Sequence, residues 1–513
     1  MKKAVFLSFT FTHACFSFAQ PTFEKYYQLP PNYQFNLIEL PGHNLNIGGY
    51  TLADPSGNIF QRHYFTGDTL YALRSFVQSG TNEFHFVTGY NKDTCSIDSS
   101  RTNTYPVIGK MDSLGNFLSL RYYPLTSPSC SNLPIDLEVT SNKDVIIWDS
   151  FALRTDSVGT PLWAKRFDRI TGFQFIRELP GGDLLAGINM DTAGAVVARM
   201  DAAGNFLWLR SYIRPNGVIK DVVIGSDSSF VVIGYTDNTF PSTPVEQKLF
   251  MMKLDGSGDV QWCKGYEAAN KWRPGHARIK TTQDGNYVIL ANLRGPDDAR
   301  PFDDRPFLMK TDVNGDTLWT RSSGVGNYRY QTANLLAYSD GGFLHTGICS
   351  GDFGMNSSAM YLFKTDSLGH LPCSEAWYPT QVVNLFPVDS SFTLNSVDGA
   401  TVHPAFGEGT ISTNPVTVYD GCMITAIPDY WRISKFRVRP NPNTGHFTVQ
   451  FDDPLVVDTF YSVYDAMGRL LYQRPLPTGA TTEEIDLSRF GKGTYTMKVS
   501  DKDKVRVERV VVQ

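Results

Sequence analysis

The sequence predicts an all-β protein: a seven-bladed β-propeller followed by a small C-terminal β-sandwich. Three observations carry this. An Asp-x-x-Gly string returns along most of the chain, as in KTDVNGDTLW from Lys310 and RMDAAGNFLW from Arg199. A second Gly/Asp/Asn turn lies upstream of each copy, as in SDGGFLHTG from Ser339 and QDGNYVILA from Gln283. The period stops after residue 373, and from about residue 436 short alternating strands run to the last residue.

The repeat is a structural unit rather than a chemical one. Its aspartates are Asp54, Asp112, Asp156, Asp201, Asp255, Asp312 and Asp366, spaced 58, 44, 45, 54, 57 and 54 residues apart. A catalytic residue is seldom needed seven times, whereas a turn is needed once per unit, and propeller blades repeat at roughly 40 to 50 residues. Each unit reads strand, turn, strand, loop, strand, Asp-x-x-Gly turn, strand: a four-stranded meander. The Asp side chain caps backbone amides within the turn, and Gly supplies the left-handed residue that closes it. The last strand reads Trp-x-Lys/Arg-x-aromatic, as in WAKRF, WLRSY and WCKGY. Alternation is expected to set Trp and the aromatic on one face and the basic residue on the other, with Trp packed between units.

In chain order, residues 1–19 read as a signal peptide: Lys2 and Lys3, an apolar run, then Ser17 and Ala19 before a cut. Cys15 offers a lipoprotein alternative that Thr12, His13 and Ala14 fit poorly. The units fall at about 33–65, 70–123, 133–167, 173–212, 219–266, 276–321 and 331–373, and the seventh lacks a clear fourth strand. FEKYY, Phe23 to Tyr27, matches WAKRF position by position. It is expected to pair with the seventh unit and close the ring, which removes exposed edges. The propeller thus spans 20–373, and 374–435 reads as an extended linker or accessory strands. Six cysteines follow the signal; Cys95–Cys130 and Cys373–Cys422 are the expected disulfides, with Cys263 and Cys349 free and buried.

The tail, 436–513, begins FRVRPNPNTGHFTVQF and alternates as a small antiparallel β domain. Its motif residues are Pro440, Asn441, Pro442 and Gly445, then Asp465, Gly468 and Arg469, then Gly493 and Tyr495, before a Val-rich end. In order and spacing it resembles the type A C-terminal sorting domain of the type IX secretion system of Bacteroidota. That resemblance implies export to the periplasm, passage across the outer membrane, and a secreted or surface location. It makes the secretion machinery a partner of the motif residues. The repeats resemble uncharacterised propellers that accompany such tails. They also resemble quinoprotein-type propeller repeats and the sialidase Asp-box. The Asp-to-Gly gap differs from both, so neither cofactor use nor sialidase chemistry is implied.

A net charge of −5 gives no basic excess for nucleic acid, and no later segment is apolar enough to span a bilayer. The chain lacks His-Glu-x-x-His, Gly-x-Ser-x-Gly and P-loop strings. The tight turns share one face of a propeller; the long loops share the other and form the candidate binding face. There, Trp272, Arg273 and His276 suit a sugar or anionic ligand, against blade-junction packing as the plainer reading. Asp297, Asp298, Asp303 and Asp304 offer oxygen ligands to calcium, against a solvated loop with arginine partners. No other cofactor is called for. The expected function is non-enzymatic binding of glycan, polymer or protein, or adhesion. The competing class is a polysaccharide hydrolase or lyase with carboxylates in the central funnel.

Overall fold

The computed structural model describes residues 22 to 513 apart from 29–35, 48–50, 63–64, 67–72, 95–101, 113–115, 126–133, 135, 191–193, 213–216, 237–247, 269–275, 295–303, 325–328, 351–358, 375–379, 388–389, 392–393, 395, 399–402, 405–409, 412–417, 421–435, 452–458, 466–469, 478 and 501–504. The signal segment therefore lies outside the described residues. The protein is all-β, made of many small antiparallel sheets in two compact units, 1–422 and 423–513.

In the first unit, among the described residues, six sheets contain four consecutive antiparallel strands and a seventh contains three. Sheet one holds Leu37–Glu39, Leu45–Ile47, Thr51–Ala53 and Ile59–Arg62. Sheets two, three and four run from Ser75 to Tyr122, Asp136 to Phe167 and Ile170 to Ser211. Sheets five and six run from Gly217 to Ala268 and Arg278 to Ser322. Sheet seven has Arg329–Ala337, Phe343–Ser350 and Ala359–Thr365, and takes its fourth strand from the other end of the chain. That strand is Phe23–Gln28, antiparallel to Ala359–Thr365 with Tyr26 opposite Tyr361.

Buried apolar side chains join each sheet to the next. Ile146 and Trp148 of sheet three pack with Phe173 and Ile176 of sheet four. Phe175 and Leu185 of sheet four meet Phe230 and Met252 of sheet five, and Val231 and Met251 meet Ile289 and Met309 of sheet six. Leu37 and Leu45 of sheet one pack with Leu344 and Leu362 of sheet seven. Each fully buried Leu, Ile or Phe contributes roughly 1.5–3 kcal/mol, so the seams hold the unit together as much as the sheet cores do.

The segment after residue 373 adds strands to sheet edges. Thr380–Asn384 pairs with the last strand of sheet five, Ser390–Ser391 with that of sheet four, and Ser396–Asp398 with that of sheet three. His403–Pro404 then pairs on sheet two, Thr410–Ile411 on Phe65–Thr66, and Val418–Asp420 on Phe23–Gln28 of sheet seven. All six pairings are antiparallel, and the segment visits the sheets in reverse order. Val382, Leu385 and Leu394 pack against the five–six, four–five and three–four clusters. The segment therefore works as a strap across the sheet edges.

The second unit has two sheets over one core. Phe436–Arg439, His446–Phe451 and Thr482–Asp486 form one. Thr459–Tyr464, Leu470–Leu476, Gly493–Ser500 and Val505–Val512 form the other. Phe436, Phe447 and Val449 meet Val463, Met497, Val499 and Val510 between them.

Candidate functional site

The Asp-x-x-Gly turns share one construction. Asp312 Oδ1 accepts hydrogen bonds from Asn314 N at 2.9 Å and Asp316 N at 2.8 Å, and Gly315 N donates to Asp312 O at 3.0 Å. Asp156, Asp255 and Asp366 repeat both side-chain bonds. Asp112 and Asp201 accept from the residue four on, Asn116 and Asn205. Burial pushes the Asp201 carboxyl up, but hydrogen bonds from Asn205 and Ala203 outweigh it and hold the group below its usual range.

The fourth strands explain why Gly follows. Gly315 takes φ +80°, and a Cβ there would meet the Trp262 ring at 3.1 Å. Tyr266 Oη donates to Gly315 O at 2.7 Å, and Lys264 Nζ lies 2.5 Å from Asp316 Oδ1. Trp262, Lys264 and Tyr266 of sheet five thus all grip the turn of sheet six. Sheet four grips sheet five likewise: Trp208 and Tyr212 lie over Gly258, and Arg210 pairs with Asp259 at 2.6 Å. This corrects the expectation that the basic residue faces away from Trp: residues two and four apart on a strand share a face. A further feature repeats. In several sheets the base two residues before the Asp ties the sheet's own two turns together, as in Arg154–Asp144 at 2.8 Å, Arg199–Asp183 at 2.7 Å and Lys310–Asp284 at 2.7 Å.

The long-loop residues are divided. Trp272, Arg273, Asp297, Asp298 and Asp303 lie outside the described residues. Asp304 is buried in the strand Asp304–Thr311, with Oδ2 3.2 Å from Arg329 Nε. No group of three His, Cys, Asp or Glu suited to a metal occurs among the described residues. His276 is exposed, yet enclosing protein, then Arg278 and Lys220, push its ring down to about 4. Cys373 is disulfide-bonded; Cys95, Cys130 and Cys422 lie outside the described residues. Cys263 and Cys349 are free and buried. In the second unit the Arg439–Pro440 and Asn441–Pro442 peptides are cis. Asn441 Nδ2 donates to Arg509 O at 2.7 Å and its Oδ1 accepts from Val511 N at 2.9 Å. Tyr495 Oη bonds Phe490 O and Gly491 O at 2.8 Å. These motif residues hold the last strand and a neighbouring turn. Gly445 takes φ +103°, and Gly493 opens the strand Gly493–Ser500. Asp465 ends the described run 459–465; Gly468 and Arg469 lie outside it.

A charged cluster sits on the first strands of sheets three to six, where the sequence shows acids and bases at alternate positions inside apolar runs (PIDLEVT, FQFIREL, KDVVIG, ARIKTT). Arg177 lies 3.7 Å from Asp136 Oδ2 and 3.5 Å from Glu138 Oε2, and its guanidinium stands 5.5 Å from the Trp148 ring centroid. Ser75 Oγ donates to Asp136 Oδ1 at 2.5 Å and receives Asn36 Nδ2 at 2.5 Å; Asn334 Nδ2 reaches Asn36 Oδ1 at 3.3 Å. Asp221 is buried at a register shift between Ile219 and Asp221, and its Oδ2 accepts Ile279 N at 3.1 Å. Burial raises the Glu138 carboxyl against the pull of Arg177. Burial opposes the charge on Arg177, but Glu138, Asp136 and Asp221 outweigh it and raise its pKa. Burial, aided by Arg177 and Arg278, lowers Lys280 although Asp221 pulls the other way. The group mixes hydrogen-bond acceptors and cations, a set suited to hydroxyl-rich or acidic ligands. It lies by the tight turns, beside a shallow depression of about 540 Å³ that Ser141, Glu178, Leu179 and Ile224 help to line. The long loops are at the other strand ends.

One arrangement imitates a nucleophilic triad. His43 Nδ1 is 2.8 Å from Glu39 Oε1 and 3.0 Å from Ser339 Oγ. Both contacts fall on the same ring nitrogen, so the ring cannot pass a proton from serine to carboxylate. Ser141 clamps Glu178 in the same way, through N at 2.6 Å and Oγ at 3.1 Å. The Ser–Glu pair is a recurring tie between neighbouring turns.

Residues 437–513 match the family described as secretion system C-terminal sorting domain. The match supports a type IX secretion sorting signal in this tail. The chain is therefore cargo for export out of the cell or to its surface, recognised by that machinery through its C-terminal domain. No curated protein matches the chain at a significant level. Among solved structures it is similar to the crystal structure of polysaccharide lyase Uly1, with 11% identity, a TM-score of 0.28, and coverage of 60% of this chain and 59% of that one. Among the described residues no helix is long and apolar enough to cross a membrane.

Proposed function

We propose that the first unit is a seven-bladed β-propeller, closed by Phe23–Gln28 and girdled by the strap, with a C-terminal sorting sandwich. It acts outside the cell as a binding module for an extracellular polymer. The interlocking of successive sheets through Trp, base and aromatic supports the ring, as do the shared cores and the Asn334–Asn36 link between sheets seven and one. The charged cluster on the first strands carries the binding reading. First strands line the axis of a propeller, and Asp136, Glu138, Arg177, Asp221 and Lys280 would there face a ligand from a rigid scaffold.

The test is a polysaccharide and protein panel with the mature chain, reading retention and new reducing ends from the same wells. Retention without product release is the expected result. The raised Glu138 carboxyl beside Asp136 favours one competing reading, acid–base cleavage of a polysaccharide. Released product that is lost in Glu138→Gln would replace binding by turnover.

A further inference from the structure

Lys280 stands apart from the other charges of the cluster. Arg177 is committed to two carboxylates and an indole face. Asp221 holds Ile279 N. Lys280 Nζ makes no hydrogen bond or ion pair with any described residue. It sits on the short first strand of sheet six, Arg278–Thr281, two residues beyond Arg278. It is half-buried, so its ammonium is within reach of solvent, and burial lowers its pKa. Its strand partner Val288 is fully buried and apolar, so the ammonium has no polar neighbour across the ladder. Asp221 and Asp136 act on the ammonium only at longer range, so among the described residues it has charge but no direct contact, which a structural role does not explain.

We propose that Lys280, with Arg278 beside it, is the anchor of an oxyanion site that takes the carboxylate or sulfate ester of an acidic glycan. This rests on the binding reading above and names the ligand class. The three acids do not defeat it. Asp136 and Glu138 already face Arg177, and Asp221 spends an oxygen on a backbone amide, which leaves the Arg278–Lys280 side with unspent positive charge. The ammonium supplies three donors and the guanidinium a planar fork, which together match an oxyanion bound at more than one oxygen. The ligand's neutral hydroxyls meet the carboxylates on sheets three and five.

The experiment uses the mature chain, trigalacturonate, the neutral galactotriose, and sodium sulfate as competitor, read by calorimetry. Trigalacturonate is expected to bind and galactotriose not, with sulfate displacing the acid sugar. Lys280→Met should weaken binding about ten- to a hundredfold, the loss of one charge-assisted contact. Its melting temperature should hold or rise, because an unpaired ammonium has gone. Lys280→Arg should restore part of the affinity. In the free protein, acetic anhydride at pH 8 should label Lys280 ahead of surface lysines, and trigalacturonate should protect it. Unchanged affinity in Lys280→Met, or equal binding of the neutral sugar, overturns the site. Retention of neutral polymers on the panel would then leave the binding module standing without it. Absence of any retention, acidic or neutral, removes both.

Discussion

Two buried histidines make the first unit sensitive to acid by an amount the structure sets. His345 is fully buried against Tyr361 and Phe363, with ring centroids at 5.8 and 5.4 Å, and burial pushes its ring down to about 3. His85 is 2% exposed, and burial, with Lys110 and Lys143 against Glu83, brings it to about 4. Neither ring has a hydrogen-bond partner among the described residues. Above about pH 7.5 both rings are neutral in the folded and unfolded chain, so neither adds pH dependence. As pH falls through the unfolded value near 6.5, only the unfolded chain takes up the proton, and stability drops by about 1.4 kcal/mol per pH unit per histidine. At pH 4.5 that is about 2.7 kcal/mol for His345 and slightly less for His85. Their sum, about 5 kcal/mol, rivals the whole stability of many domains. Seven of the eight tryptophans belong to the first unit and one, Trp431, to the second, so indole fluorescence follows chiefly the first unit. Urea titrations from pH 7.5 to 4.5 should show the wild type losing stability faster than His345→Leu. The variant should be the more stable chain at pH 4.5 even if it is weaker at pH 7.5. Parallel curves for the two would refute the reasoning.

Other outcomes follow from the turns and the ends. Gly369→Ala sets a Cβ 2.6 Å from the Trp319 ring at φ +80°, whereas Gly285→Ala at φ +78° meets nothing within 4 Å. Both should lose about 1 kcal/mol to the left-handed backbone, and Gly369→Ala about 1–3 kcal/mol more, read by urea midpoint. Peptide mapping without reduction should find Cys373 joined to Cys422, and a different partner would discard that pairing; the Cys263 thiol, pushed by burial up to about 12, should resist alkylation until the chain unfolds. Removal of 437–513 should abolish surface delivery in the native host, assayed by protease shaving of whole cells. Removal of 23–28 should lower the melting temperature by several degrees, because sheet seven would lose its fourth strand and the strap its last anchor.

The repeated turn was legible because its cause is local. Asp312 caps amides two and four residues on, and Gly315 takes a φ that few other residues tolerate, so both leave a mark inside ten residues of sequence. The strand Phe23–Gln28 was legible too, since it carries the same spacing as WAKRF. The facing of Lys264 could have been read and was misread: period-two alternation puts it with Trp262, and Asp316 confirms the side. The charged cluster was hidden for another reason. Asp136, Arg177, Asp221 and Lys280 lie 41, 44 and 59 residues apart in succession, in runs that look apolar. Only the closeness of four first strands turns separate charges into one site. Residue spacing carries no distance of that kind.

The strap shows where local reading stops. Its pairings begin at residues 380, 390, 396, 403, 410 and 418, so after the first it has a period of its own, six to eight residues. Most pairings involve only two or three residues, too few to give strand alternation a signal. Such pieces have no stability alone; each forms only because a finished sheet offers an edge. The strap therefore depends on the sheets for its structure, and the sheets depend on it for cover. The edges it fills would otherwise present rows of free amides and carbonyls to other chains. Its reverse course matters as well. A strap that followed the sheets in order would end far from where the chain began. By running back it ends on Phe23–Gln28, beside the start of its own unit, and ties both termini of that unit into sheet seven. Opening sheet seven thus requires breaking contacts with the first strand and the strap together.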